Sequence, residues 1–495
     1  MGYLGSQPAT NFETVKKDRY TSITGTGITL SHSVSSVQDI IVWVNSVKQD
    51  YTSYSVNGTA LTLGGSLVSS DITEVAYIGR TFQTVNPADA TVTTAKLADS
   101  AVTAAKITDA TITSAKLASG VVQNQSAFKN LIINGDMSIA QRATSVTGVG
   151  NGDNSCHTVD RFSFYEEGAT SGEFTMSQDT DVPTGYGFAK SIKLDCTTAD
   201  SSLAAAEVVA LEYKWEGQHL QHLKKGTSNA ESLTLSFWVK TNKTGTYVVT
   251  WYDNDNDRHT SQNYTVSSSN TWEKKTITFA ADTSGALTND NTLALAMYFI
   301  LGAGTNYTSG SAATAWETFT GNADNWCGGQ NVNVLDHTDN NFWITGVQLE
   351  IGTSATDFEF LPFDVNLRRC ERYYQKSFNY STVPADDTNS EFIYQYVEPY
   401  SSGNMSGLRT HYNTVMRAKP TVTLYTTAQG SGQGTGKISF YNGSSWGTAS
   451  ASVQAASSHK FHHLEGSSFS SMKLAQYNFE ATAELWWQML KKYMI

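Results

Sequence analysis

The chain is short of charge, of proline and of long greasy runs, and each shortage removes a class of protein. Charged residues make up 16% of the sequence, well under the usual quarter. The net charge is −12 with only 33 Lys and Arg, which excludes a basic nucleic-acid footprint. No stretch approaches 18 apolar residues, so no helix is expected to insert in a membrane. The first twenty residues lack the apolar core of a signal peptide, so the expectation is synthesis in a cytosol and release by a route such as viral lysis. The four cysteines, Cys156, Cys196, Cys327 and Cys370, form no CxxC pair and no metal spacing, and read as free buried thiols. Gly430–Gly436 lacks the Lys-Ser/Thr of a phosphate loop, and no Gly-x-Ser-x-Gly elbow precedes a helix.

Aromatic and small polar side chains take up the space. The 21 Phe, 24 Tyr and 11 Trp, with 38 Gly and only 7 Pro, make a β-rich composition and exclude disorder. A neutral polar surface with many aromatics suits glycan partners.

The most informative stretch is Thr91–Gly120, three tandem decapeptides that read TVTTAKLADS, AVTAAKITDA and TITSAKLASG. Each offers two sizeable apolar side chains: Val92 and Leu97, Val102 and Ile107, Ile112 and Leu117. Ordering ten residues costs roughly 10–20 kcal/mol of backbone entropy. Burying one Val, one Leu and one Ala returns on the order of 5 kcal/mol. Stacked copies and sister chains must supply the rest, so the segment reads as the neck of a homo-oligomer, with a flexible Ala/Thr linker as the alternative.

Around this neck (89–125) the chain divides into an N-terminal β domain (1–88), a large block (126–365) and a C-terminal part (366–495). In the first, Asp39–Asn45 is a strand, and Asn57-Gly58 predicts a tight hairpin between Tyr54–Val56 and Leu61–Leu63. In the large block, strand candidates recur at Leu131–Ile133, Phe162–Tyr165, Ser191–Leu194, Leu233–Val239, Thr246–Tyr252, Thr276–Phe279, Leu293–Ile300 and Phe342–Leu349, which predicts a two-sheet jelly roll. Asp364–Gln375 reads as a short helix or junction. In the last part, Lys419–Tyr425 and Lys437–Tyr441 are strands joined by a mobile glycine loop. Thr482–Met494 carries Trp486, Met489, Leu490 and Tyr493 at helical spacing and reads as an amphipathic cap.

Asp253, Asp255 and Asp257 alternate as in an oxygen-rich cation loop, without the glycine and glutamate of an EF-hand. A structural calcium, or simply an acidic hairpin tip, fits that pattern, and no other cofactor is implied. His459, His462 and His463 read as polar surface residues rather than metal ligands. Glu166, Glu167, Glu212, Glu216 and Glu350 are the acids beside strands of the large block, and the sequence places no two of them as a glycosidase pair. Sugar platforms need an aromatic face beside directed hydrogen-bond donors. Tyr307, Trp316, Trp326, Tyr441 and Trp446 lie in amide-rich loops and are the candidates, each equally readable as core.

Several runs resemble tail fibre proteins of tailed bacteriophages, especially short-tailed, podovirus-like ones: the TAKL decapeptides, Phe128-Lys-Asn-Leu-Ile-Ile-Asn-Gly-Asp-Met-Ser-Ile-Ala-Gln-Arg142, Val159-Asp-Arg-Phe162, Trp215-Glu-Gly-Gln218, Leu235–Lys240, Thr271–Lys274, Thr345–Gly352 with Ala355–Phe358, and Arg369-Cys-Glu-Arg-Tyr-Tyr-Gln375. The likeness is strongest at 128–375. It implies a mainly β, multidomain, elongated homotrimeric fibre whose central block is a jelly-roll sandwich like a carbohydrate-binding module. Its N-terminus would dock on a tail adaptor or nozzle protein of the virion tail. Its distal tip would bind host surface polysaccharide or lipopolysaccharide, without enzymatic activity, after synthesis in the host bacterial cytoplasm. A polysaccharide-degrading tail spike and a cellular carbohydrate-binding adhesin are the competing expectations.

Overall fold

The computed structural model describes residues 15–78, 102, 103, 107, 128–320, 325–387, 392–396, 398, 399, 404–466 and 472–485. The chain divides into two compact units, Met1–Ser119 and Gly120–Ile495.

In the first unit, an antiparallel sheet of Lys17–Thr21, Ile72–Tyr77, Ile40–Val44 and Val47–Lys48 packs on a long two-stranded ribbon, Gly25–Val34 with Tyr54–Leu67. Ile28, Leu30, Val42, Leu61, Leu63 and Val75 form its core. The hairpin expected at Asn57-Gly58 is absent. Tyr54–Leu67 runs straight through it, Gly58 takes φ +62°, and the ladder slips between Thr29 and Val34, so the dipeptide makes a bulge. The tight turn is at Asn45-Ser46, both left-handed, between two short strands.

Asp18 ties this unit together. Its carboxylate accepts hydrogen bonds from Ser31 N–H (3.0 Å), the Tyr20 hydroxyl (2.8 Å) and the Tyr77 hydroxyl. Burial alone would raise its pKa, but these bonds hold it well below the usual carboxylate range. A depressed carboxyl contributes stability that is present above its unfolded value and is lost as pH falls toward the folded one. Asp18→Asn should therefore speed amide exchange across residues 17–77 at pH 7 and flatten its acid dependence below about pH 4. Hydrogen-exchange mass spectrometry on the whole chain checks this, and identical protection in the variant would remove Asp18 as the tie.

The second unit is built on a two-sheet antiparallel sandwich. One sheet runs edge to edge as Glu273–Phe279, Leu233–Thr241, Asn341–Ile351, Ser191–Thr198, Glu173–Asp179 and Ser145–Gly150. The other runs Glu317–Thr318, Arg258–Val266, Gly245–Asp253, Leu293–Ala303, Val208–Glu216 and Phe162–Glu167. Alternation drives the packing. Leu233, Leu235, Phe237 and Val239 face Leu295, Met297, Phe299 and Leu301 across the main core.

The second sheet is covered on its outer side too. Ala296, Tyr298 and Ile300 turn away from the main core and pack with Val248, Tyr307, Trp326, Cys370 and Tyr373 in a second apolar cluster. Leu293–Ala303 is thus buried on both faces, where its pattern predicts a half-buried strand. Leu131–Ile133 is no strand but part of a strap, 128–142, laid along the sandwich. Its Gly135 sits where a Cβ would fall 2.0 Å from the Val347 carbonyl, while Val347 N–H donates to Gly135 at 2.9 Å. The strap's Asn134 pins it in place: its amide nitrogen donates to the Ile139 and Asp160 carbonyls, its Oδ1 accepts the Ile139 N–H at 2.9 Å, and its backbone N–H donates to Asn366 Oδ1 at 3.1 Å.

The helix Phe363–Glu371 stops where Tyr374–Lys376 becomes a strand, one turn earlier than expected. Cys370 on that helix is buried in the second cluster, so the expected break at 365/366 falls inside a continuous core. The last sheet gathers on Leu474–Thr482, which pairs with Tyr374–Lys376, Ile393–Tyr396, Thr421–Tyr425 and Lys437–Tyr441. The expected helix from Thr482 does not start there. Thr482 closes that strand and 483–485 are irregular, because Leu485 is drawn into the second cluster and Glu484 into an ion pair. Residues 486–495, with Trp486, Met489, Leu490 and Tyr493, lie outside the described residues. The glycine loop expected to be mobile is hydrogen-bonded: Gln433 donates to the Gly430 carbonyl, Lys437 to that of Gly432, and Gly434 N–H to Thr426. All four cysteines are free.

In the neck, Val92, Leu97, Ile112 and Leu117 lie outside the described residues. Val102 and Ile107 are exposed in the single chain, at 55% and 39%.

Candidate functional site

The first sheet of the sandwich keeps its outer face open, and the strand alternation that buries Leu235, Phe237 and Val239 turns Trp238 and Lys240 onto that face. Lys240 and Lys193 stand directly across from Trp343 on its two neighbouring strands. Their ammonium groups lie 4.9 Å and 5.2 Å from the Trp343 ring centroid. Such contacts are worth about 0.5–1 kcal/mol each at an exposed site and hold the indole upright. The Trp343 indole N–H donates to Asp179 at 3.1 Å. Beside it, Asp181 takes the Trp272 indole N–H at 2.9 Å and the Lys240 ammonium at 2.5 Å.

One row away, the ladder slips between Ser236 and Trp238, so two residues of the neighbouring strand oppose one. The slip re-aims Trp238 toward Tyr186, ring centroids 4.3 Å apart. It is made possible by Gly346, at φ +63°, where a Cβ would press on Phe188 at 2.6 Å and on Trp238 at 3.1 Å. Phe188, Phe358 and Phe360 close this end as a trio with centroids 4.8–5.1 Å apart. Tyr186 remains 56% exposed.

This face combines indole and phenol rings with lysines, aspartates and the half-exposed Thr175 and Ser177. Asp179 is held below its usual pKa: burial opposes this, and N–H donors from Asp181 and Trp343 outweigh it. Positive and negative groups alternate on the face, so it suits polyhydroxylated, largely neutral ligands stacked on rings.

The sequence-selected aromatics divide. Tyr307 and Trp326 are core residues, 4% and 3% exposed, packed edge to face at 5.7 Å in the second cluster, so neither presents a ring face. They correct the platform reading: the outer side of the second sheet needed apolar cover, and these rings supply it. Trp316 is half-buried, its N–H on the Ala280 carbonyl and its ring under Lys225. Tyr441 and Trp446 pair across the turn at Asn442-Gly443, centroids 5.5 Å apart, and both are half-exposed.

The three aspartates do not converge. Asp253 is fully buried and ion-paired with Lys225, which also holds Asp282 at 2.8 Å. Asp255 accepts the Thr288 N–H at 2.8 Å and Asp257 the Tyr252 hydroxyl at 2.6 Å. The Lys225 ammonium thus lies against Asp253 at the loop read as a cation loop or an acidic hairpin tip, and among the described residues no cluster of three metal-ligating side chains occurs. His459 is exposed; the side chains of His462 and His463 lie outside the described residues.

The acids are mostly committed. Glu212 pairs with Lys214 at 2.6 Å, and Glu216 with Arg372 at 2.6 Å. Glu350 belongs to the other sheet and bonds Thr356 and Gln348. Glu166 and Glu167, both pushed up in pKa by burial, line a cavity of about 460 Å³ together with Glu480 and Tyr374.

Sequence reasoning missed Trp343, Trp272, Tyr186, Lys193 and Lys240 as a group. The signal was present in Leu233–Val239 and Phe342–Leu349, whose period-2 pattern places their odd-man indoles opposite the core.

No protein-family model matches the chain, and no curated protein does. Among solved structures, the chain is similar to the enzymatically active domain of tailspike protein 4 of bacteriophage CBA120, at 11% identity and TM-score 0.23, over 42% of this chain and 21% of that one. It spans about a fifth of that tailspike domain's length. It is also similar to a family 11 carbohydrate-binding module of a Clostridium thermocellum cellulase (12% identity, 40% and 92% covered, TM-score 0.22). A xylan-binding domain from Paenibacillus barcinonensis matches at 13% identity, 38% and 91% covered, TM-score 0.20.

Proposed function

We propose that the chain is the subunit of a homotrimeric tail fibre of a short-tailed bacteriophage, a non-enzymatic virion protein that recognises host surface glycan. The observation that carries the reading is the open sheet face bearing Trp343 between two lysines, with Trp238 and Tyr186 beside it. Sugar rings stack on such faces, and the flanking aspartates and hydroxyls supply directed hydrogen bonds. The half-exposed Tyr441–Trp446 pair in the C-terminal sheet supplies a second contact. Three linked copies multiply weak sugar contacts into avidity gains of roughly 10²–10⁴. Residues 1–88 dock on a tail adaptor or nozzle protein, and the Thr91–Gly120 repeats wind the three chains together.

The oligomer is tested by light scattering. The intact protein should give three chain masses, and deletion of Thr91–Gly120 should weaken or misregister the assembly. An unaltered trimer in the deletant would take the neck role away from the repeats.

A second reading, a polysaccharide-degrading spike, draws on the cavity where Glu166 and Glu167 are pushed up in pKa. Incubation with host capsule or lipopolysaccharide separates the two. The fibre leaves the polymer length unchanged, and oligosaccharide release would replace it with the spike.

A further inference from the structure

Three of the runs that carry the sequence resemblance meet at one cavity of about 330 Å³. Phe128 comes from the strap, Trp215, His219 and His222 from Trp215–Leu223, and Arg369 and Arg372 from the helix Phe363–Glu371 and the residue after it. None of these belongs to the open sheet face.

The charges around the cavity are matched one by one, with a single exception. Arg372 holds Glu216 through two hydrogen bonds, at 2.8 Å and 2.6 Å. Lys214 holds Glu212 at 2.6 Å, and Arg161 holds Glu484. Arg369 has no carboxylate partner among the described residues, and its Nη1 is buried without a hydrogen-bond acceptor. A guanidinium N–H left so is costly, and its planar fork fits a carboxylate edge-on. Phe128, 56% exposed, lies 5.7 Å from that guanidinium and forms a ring wall. Burial lowers His219 and His222 below the ordinary histidine value, which favours the neutral imidazole with its one donor and one acceptor.

We infer that this cavity is a subsite for a carboxylate-bearing sugar, a hexuronate-type residue. Arg369 takes the carboxylate, His219 and His222 take ring hydroxyls, and Phe128 lies against the C–H face. The inference rests on the glycan-recognition reading and names an acidic sugar within it. The volume holds one sugar residue rather than a stretch of polymer.

The test is a calorimetric titration of the full chain with sodium methyl glucuronide, methyl glucoside and inorganic phosphate. The glucuronide should bind, the neutral glucoside at least tenfold more weakly, and phosphate should not displace it. Arg369→Met should weaken the glucuronide at least tenfold. Arg369→Lys, which keeps the charge but loses the fork, should fall between and guards against a folding defect in the first variant. Absent glucuronide binding, equal binding of the glucoside, equal competition by phosphate, or an unmoved affinity in both variants would each overturn the subsite. Host cells are not used, so a chain that binds the host polymer yet ignores glucuronide sinks this subsite alone, and the reverse sinks the adhesin reading.

Discussion

Trp343→Ala should lower binding of the intact protein to host surface polysaccharide at least tenfold, and Trp238→Ala with it should abolish measurable binding. Truncating a central aromatic anchor of an interface costs about 2 kcal/mol or more, and 1.4 kcal/mol is already tenfold. In the proposed trimer, three linked sites magnify the loss, since avidity compounds the affinity of each. The structure separates binding from folding here. Trp343 lies on the open face, held by two lysines and one Asp179 bond, so its removal should cost stability only about 1 kcal/mol. Trp343→Phe should keep part of the binding, because a ring face remains. Retention on immobilised host lipopolysaccharide, read beside a thermal melt, checks both. Full binding by the double variant would move the receptor contact to Tyr441 and Trp446, and Trp446→Ala would then carry the loss.

The second large effect is on stability. Arg161→Met should destabilise the second unit by about 3–5 kcal/mol, the range for breaking a buried pair by deleting one partner. Arg161 is 3% exposed, packs 3.5 Å from the Tyr373 ring centroid, donates to the Lys214 carbonyl at 2.7 Å and pairs with Glu484. Arg142 reaches the same carboxylate at 3.0 Å. Burial alone would raise the Glu484 pKa, but Arg161 and then Arg142 hold it below its ordinary 4.5. The stability this lends is present above the unfolded value and drains away as pH falls through the folded one. Urea midpoints should therefore drop below about pH 4 in the parent chain and change less in Glu484→Gln. A midpoint unmoved by Arg161→Met would show the pair to be ornamental.

The sandwich strands were largely legible because half-buried strands alternate. Leu233–Val239 and Phe342–Leu349 carry that period, and the structure has strands at both. Val208–Glu216 was not legible. It carries Glu212, Lys214 and Glu216, yet all nine residues are buried, because Glu212 pairs with Lys214 two residues along the strand and Glu216 with Arg372 from a distant segment. Sequence period cannot show a partner that arrives 156 residues later. The same distance hid the second apolar cluster, and with it the core role of Tyr307 and Trp326. Asn57-Gly58 misled for a local reason: a left-handed glycine serves a bulge as well as a turn. The partner of Asp253 was hidden for an electrostatic reason, since a lysine ammonium satisfies a carboxylate as a divalent cation would.

Leu474–Thr482 is the common partner of four other strands, and the clamp on Glu484 follows it at once. Tyr374–Lys376, Ile393–Tyr396 and Thr421–Tyr425 pair with no other strand among the described residues and must wait for that late arrival, and such long-range closure is slow. A polypeptide cut short before residue 474 would leave Tyr374–Lys376, Ile393–Tyr396 and Thr421–Tyr425 without their strand partner, while Lys437–Tyr441 would keep its ladder with Trp446–Ala456.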